Sequence, residues 1–170
     1  MLKYNIGNSW GKSTMKKKPF PEEITPDERR QILFYLEERF GINPGIFDEY
    51  TIFKGATHFW LFPKTEYIHL LKKLSPESVG LLFLRKIKNY LKPTSTFLQR
   101  FGKLAKKNIV QLTEEQLKIL QESKKIKMDL PLEPGYVILR DETWILGCGL
   151  YLNGYIFSYL ETKVIKTLLD

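Results

Sequence analysis

The sequence predicts a mixed α+β fold in two lobes, the first a mixed α/β unit and the second a small β barrel crossed by an early helix. Three observations lead there. Two boxes of the Thr-x-x-Glu/Gln type, Thr25 with Glu28 and Thr113 with Gln116, precede amphipathic stretches and mark helix starts. Asn153-Gly154 sits between the apolar runs "TWILGCGLYL" and "YIFSYL". Both turn residues tolerate positive φ, so this pair is a strong short-range hairpin signal. Finally, helical and strand patterns alternate in the first half, whereas the C-terminal stretch from "PGYVILR" onward reads as successive strands.

Residues 1–20 carry five lysines and no acid and are expected to form a basic leader. They contain "GNSWGKST", which approaches a phosphate-gripping loop. That loop needs four residues between its glycines, and here Gly7 and Gly11 enclose three. It also needs a strand before it and a helix after it, but only "MLKYNI" precedes, and Pro19 and Pro21 block a following helix. The stretch is therefore read as leader and not as a nucleotide site.

Residues 21–89 form the first expected lobe. Thr25 caps a helix from Pro26 to Phe40, proline suits the first turn, and Gly41 ends it. Its inner stripe is Ile32, Leu33, Leu36 and Phe40. "YTIFKGATHFWLF" reads as a hairpin turning near Gly55-Ala56. An amphipathic helix over Lys64–Leu74, presenting Ile68, Leu71 and Leu74, and a buried strand "SVGLLFLRK" complete the lobe.

Residues 90–170 form the second. "NYLKPT" is a short strand stopped by Pro93, and "STFLQRFGKLAKK" places Phe97, Leu98, Phe101 and Leu104 at helical spacing. "NIVQL" follows as a strand, Thr113 opens the helix "TEEQLKILQES", the C-terminal strands come next, and "ETKVIKTLL" closes as a short helix.

Composition narrows the functional classes. At 170 residues and 43% hydrophobic content the chain can bury a core. The apolar run "VGLLFL" is too short to span a bilayer and "MLKYNIGNSW" lacks a signal-peptide core, so no membrane partner and a cytoplasmic location are expected. One cysteine, Cys148, excludes an internal disulfide and a cysteine-based zinc cluster. The two histidines, His58 and His69, match no ligand spacing. Cys148 lies in an apolar strand with no base nearby in sequence and is read as a small core residue. Its neighbours Gly147 and Gly149 mark either a barrel corner or room for a close approach. Glu37-Glu38 and Glu114-Glu115 are solvated helix charges, and no dinucleotide fingerprint occurs. No catalytic, cofactor-binding or metal-ligating residues are expected.

The net charge of +8 is unevenly spread. Residues 21–90 balance at ten charges of each sign, and residues 128–170 come to −3. From Ser78 to Thr113 there are eight basic residues, Arg85, Lys86, Lys88, Lys92, Arg100, Lys103, Lys106 and Lys107, and no Asp or Glu. A solvated face normally mixes signs. Arg100, Lys103 and Lys106 fall on neighbouring helical positions opposite the Phe97–Phe101–Leu104 stripe, where like charges repel. A phosphate backbone relieves that repulsion and releases counterions on binding. The candidate RNA-binding residues are Lys92, Arg100, Lys103, Lys106 and Lys107.

"NYLKPTSTFLQRFGKLAKKNIVQLT…EPGYVILRDETWILGCGLYLNGYIFSYL" resembles the PUA-type RNA-binding domain, in the versions that end archaeal Sun-family RNA cytosine-5 methyltransferases and that occur in small ribosome-assembly factors. The upstream "ILFYLEERFGI…FWLFPK" resembles the accompanying pre-PUA lobe. The resemblance runs from about Asp27 to Leu160 and implies a pre-PUA lobe followed by a PUA-like pseudo-barrel that docks on structured RNA through its first helix and the adjoining strand and loop. In contrast to the methyltransferases, this chain has no Rossmann domain and no second cysteine. The expectation is thus a non-catalytic RNA-binding protein of rRNA or tRNA maturation or ribosome assembly, acting on its own or guiding an RNA methyltransferase or assembly factor in trans. The competing expectations are a protein–protein module whose basic face meets an acidic partner, and a small enzyme built around His58, His69 or Cys148.

Overall fold

A computed structural model describes residues 21–161 apart from 75, 77 and 78. The leader with its "GNSWGKST" stretch and the expected closing helix "ETKVIKTLL" lie outside the described residues, Glu161 excepted.

The fold is mixed α+β, with two five-stranded sheets. Strand β1 (Glu22–Glu23) leads into helix α1 (Pro26–Phe40). The box at the start of α1 forms in both directions: the Glu28 N–H donates to Thr25 Oγ1 at 3.2 Å and the Thr25 N–H to Glu28 Oε2 at 2.9 Å. Gly41 ends the helix in the left-handed region, its N–H donating to the Glu37 carbonyl at 2.7 Å. Of the expected stripe, Ile32, Leu36 and Phe40 are buried and Leu33 is half-buried. A 3-10 turn over Pro44–Phe47, not anticipated from the sequence, follows. The hairpin of β2 (Tyr50–Lys54) and β3 (His58–Pro63) forms as expected. Helix α2 is shorter than expected, Ile68–Leu74, and Leu74 faces solvent instead of the core. Strands β4 (Leu81–Ile87) and β5 (Tyr90–Pro93) complete the antiparallel order β1-β2-β3-β4-β5. Residue 89, the expected lobe boundary, therefore falls in the tight turn between two paired strands of one sheet.

Helix α3 (Ser95–Phe101) is capped by Thr94, whose hydroxyl accepts from the Phe97 N–H at 3.2 Å. The helical pattern predicts a longer element, through Lys107. Instead α3 tightens at Gly102 into a 3-10 turn, Gly102–Leu104, and ends. At Gly102 an added Cβ would stand 3.1 Å from Ile145 Cγ2, so the absence of a side chain lets Ile145 press against the end of the helix. Leu104 consequently misses the expected core stripe and is exposed. Leu98 is buried with Phe97 and Phe101.

Strand β6 (Ile109–Gln111), helix α4 (Glu114–Ser123) and strand β7 (Lys125–Lys127) come next. The meander β8 (Gly135–Arg140), β9 (Ile145–Leu152) and β10 (Tyr155–Ser158) follows. The sheet order is β6-β8-β9-β10-β7, with β6 parallel to β8 and every other pair antiparallel. Thr113 and Gln116 form their reciprocal box, and Asn153-Gly154 turns the hairpin with φ of 52° and 77°. The register slips between Leu139 and Arg140, opposite Gly147 and Ile145, which is a bulge. A Cβ on Gly147 would lie 2.4 Å from Ser95 Oγ, so the glycine makes room for the start of α3.

Two apolar clusters fill the interior. The larger joins Leu36, Phe40, Phe47, Phe83, Phe97 and Phe101 to Ile138 and Cys148. The smaller, with Leu117, Leu120, Val137, Leu146 and Ile156, lies where α4 meets the second sheet.

Candidate nucleic-acid interface

Helix α3 organises the five candidate residues. Phe97, Leu98 and Phe101 turn inward, and this leaves Arg100 exposed on the opposite side together with Gln99. The Gln99 amide donates to the Leu146 carbonyl at 2.9 Å and ties the helix to β9. Lys103 is exposed on the 3-10 turn, its Nζ 5.8 Å from the centroid of the Trp144 ring, within cation–π range.

Lys106 and Lys107 leave the helix, contrary to the continuous helical face expected. Their N–H groups both donate to the Phe40 carbonyl, at 2.8 and 3.1 Å, and Lys107 Nζ lies 3.4 Å from the Glu38 carbonyl. These two lysines thus satisfy and charge-complement the C-terminal end of α1, where helix carbonyls favour cations. Their side chains remain exposed. Asn108 adds a bond from its amide to the Arg39 carbonyl at 2.6 Å, which pins the loop.

Lys92 stands apart. It lies on β5 opposite Arg85 of β4, and its Nζ is 3.1 Å from the centre of the Tyr159 ring. Burial lowers its pKa, partly opposed by the neighbouring Cys148. It opens onto a cavity of about 400 Å³ that also touches Arg85, Ser95, Gln99 and Cys148. Lys92 and Lys103 are therefore at opposite ends of α3, with Arg100 exposed along the helix between them.

A second cavity, of about 250 Å³, lies at the C-terminal end of α3 and is lined by Lys103, Ala105, Ile109, Arg140, Trp144 and Ile145 among others. Trp144 and Arg140 are the functional candidates that sequence reading missed, Trp144 because "TWILGCGLYL" reads as one strand. The strand begins only at Ile145. The signal lay in Asp141, three residues upstream. Its carboxylate accepts from the Thr143 and Trp144 N–H groups at 2.7 and 2.6 Å, a turn that holds Trp144 outside the sheet and 58% exposed. Arg140 donates from Nε to the Asp141 carbonyl at 3.1 Å and from Nη2 to the Glu142 carbonyl at 3.3 Å, bracing the same turn.

The third cavity differs in character. It is about 460 Å³, mainly apolar, and bounded by Tyr35, Arg39, Tyr90, Leu91, Tyr136 and Leu152 among others. Its arginine is already engaged, with Nε donating to the Tyr136 carbonyl at 2.7 Å and Nη2 to the Glu133 carbonyl at 3.0 Å.

Three ion pairs occur among the described residues, Arg30–Asp27, Lys54–Glu28 and Lys118–Glu114, and none involves a residue of the basic run. The residues considered for catalysis do not converge. His58 stacks on Trp60 with centroids 5.7 Å apart, and His69 Nδ1 lies 3.2 Å from the Glu66 carbonyl. Cys148 is buried, and burial pushes its thiol up to about 12, far from the thiolate a nucleophile needs. Among the described residues no three His, Cys, Asp or Glu side chains gather as a metal site. No helix among them is long and apolar enough to cross a membrane. Compared with protein-family models and with curated proteins, the chain matches none of either.

Proposed function

We propose that this protein is a non-catalytic RNA-binding protein that docks structured rRNA or tRNA during RNA maturation or ribosome assembly, and that it works in the cytoplasm. In this reading residues 21–89 are a pre-PUA-like lobe and residues 90–170 a PUA-like pseudo-barrel, the second sheet with α3 packed on it supporting the barrel. One observation carries the function: the acid-free run from Ser78 to Thr113 leaves Arg100, Lys103, Lys106 and Lys107 exposed, with no ion pair to any described residue. Unpaired cations gathered around one helix end and the neighbouring loop suit a phosphate backbone. Lys92, at the far end of α3, extends the contact along the helix. In this reading any modification of the bound RNA is carried out by a partner enzyme acting in trans.

Gel-shift titration with rRNA and tRNA transcripts at several salt concentrations tests this reading. Binding that weakens linearly on a log–log salt plot is expected. Absence of RNA binding at low salt, together with no excess absorbance at 260 nm in the purified protein, overturns it.

A second reading rests on the apolar cavity beside Tyr90 and Leu152, which are 70% and 40% exposed. An exposed apolar patch of this kind suits a partner protein, and in this reading the chain is an interaction module. Binding of a partner protein through this apolar face that persists after nuclease treatment favours it.

A further inference from the structure

The cavity at the end of α3 has the parts of a base-stacking subsite. We propose that it takes one unpaired nucleobase of a bound RNA strand, stacked on Trp144, with Lys103 and Arg140 facing the flanking phosphates; this rests on the RNA-binding reading above.

Apart from Lys103, the residues of this site lie outside the charge count that supports that reading. Trp144 is 58% exposed although an indole is among the side chains that gain most from burial. The backbone keeps this residue out of the strand. The Asp141 carboxylate takes the two N–H groups of Thr143 and Trp144, and the Asp141 N–H donates to the Trp144 carbonyl at 3.1 Å. The turn is thereby closed from both ends, and Arg140 braces it through two carbonyls. The backbone that carries the ring thus has little conformational freedom left to lose on binding.

The surroundings select the ligand. Beside the ring is a cavity of about 250 Å³ with Ala105, Ile109 and Ile145 in its lining and Lys103 and Arg140 contributing charge. Ala105, Ile109 and Ile145 beside an exposed aromatic ring offer contact to a planar π system, and the otherwise mainly polar lining, with Lys103 and Arg140, suits anions next to it. A nucleobase within a polynucleotide has both properties. Asp141 and Glu142 keep their negative charges here, but Asp141 Oδ1 takes both backbone N–H groups and is held within the turn, while Lys103 and Arg140 contribute two positive charges to the cavity. A duplex keeps its bases stacked on each other, so the strand must be single-stranded or looped at this point. Gly102 fixes the spacing. Its bare Cα lets Ile145 approach, and that contact sets Trp144 beside Lys103.

The test compares a fluorescein-labelled oligouridine with the same backbone carrying abasic sites, using wild type, Trp144→Ala and Trp144→Phe. Wild type is expected to prefer the oligouridine by about fivefold or more, since one base–aromatic stack contributes at least that much. Trp144→Ala should abolish the preference and leave the salt slope and the binding of the abasic strand unchanged. Trp144→Phe should keep most of the preference. Retained preference in Trp144→Ala, or no preference in a wild type that binds both strands equally, overturns the stacking site while leaving RNA binding intact. If wild type binds neither these strands nor the structured transcripts at low salt, the RNA-binding reading falls and this site with it.

Discussion

Arg39, in the last turn of α1, donates from Nε to the Tyr136 carbonyl at 2.7 Å, joining residues ninety-seven positions apart. Through Nη2 it also reaches the Glu133 carbonyl, so one half-buried guanidinium holds the start of β8 against the first helix. Burial lowers its pKa, yet an arginine remains charged, and both bonds are charge-assisted. Arg39→Ala should destabilise the protein by about 2–3 kcal/mol, because the loss of the donor also leaves a partly buried carbonyl unpaired. Arg39→Lys should lose somewhat less, since an ammonium does not reproduce the planar fork. Urea titration of the three proteins measures this. A change below about 0.5 kcal/mol for Arg39→Ala would mean that the bonds are replaced by water.

Arg100→Glu with Lys103→Glu should lower RNA affinity and make the salt dependence shallower. Each single-strand phosphate contact contributes roughly −0.7 to the slope of log affinity on log salt, so losing two changes it by about 1.4. Stability should shift by no more than about 0.5 kcal/mol, because both side chains are exposed. The matching exchange at Lys16 and Lys17 should have the smaller effect on affinity. Fluorescence anisotropy over a salt series distinguishes the pairs, and a larger loss from the Lys16/Lys17 exchange would relocate the interface.

Alkaline pH should weaken the fold through Cys148. Burial pushes its thiol from an ordinary value of 9.0 up to about 12, whereas the unfolded chain titrates near the ordinary value. Below pH 9 the thiol is protonated in both states and its contribution is fully present. Between about pH 9 and pH 12 the unfolded state alone loses the proton, and stability falls by at most about 1.4 kcal/mol per pH unit from this group. Tyr136, pushed up to about 12 by burial, acts in the same direction at higher pH. Cys148→Ala should flatten the decline between pH 9 and 10 while costing about 1 kcal/mol at pH 7. Urea midpoints at pH 7, 9 and 10 for both proteins provide the comparison. An unchanged alkaline decline in the variant would assign it to other groups.

Gly154→Ala should cost about 1–2 kcal/mol, since its φ of 77° is costly for a side chain. No atom lies within 4 Å of the added Cβ, so the cost is one of backbone conformation alone. Thermal unfolding measures it, and a neutral outcome would show that the turn can re-form with another geometry.

Local chemistry was legible in the sequence and distant pairing was not. Thr25 with Glu28, Thr113 with Gln116, and Asn153-Gly154 each encode their structure within four residues, and each forms as read. Strands β1 and β7 have no such signal. Glu22–Glu23 becomes a strand only because Phe53 and Lys54 lie beside it, and Lys125–Lys127 because Tyr155–Phe157 does. The α3 pattern overran for a related reason: "GKLAKK" has helical spacing, but the fit of Ile145 at Gly102 and the pull of the Phe40 carbonyl on Lys106 and Lys107 outweigh it. In the candidate site the charges were readable from sequence. The division of Lys92 from Lys103 and the exposure of Trp144 depend on how α3 and the Asp141 turn sit on β9, and these are tertiary facts.

The larger apolar cluster, with Leu36 and Phe40 at one end of the sequence and Ile138 and Cys148 near the other, has a consequence for how the chain must be made. During synthesis α1 and the first sheet leave the ribosome well before β8 and β9 exist. Until those strands arrive, part of the surface that α1 presents to the interior has nothing to cover it, and contacts of such long sequence separation form late and slowly. Newly made protein is therefore most exposed to aggregation and most in need of a chaperone in the interval between the β4–β5 turn and the arrival of β9.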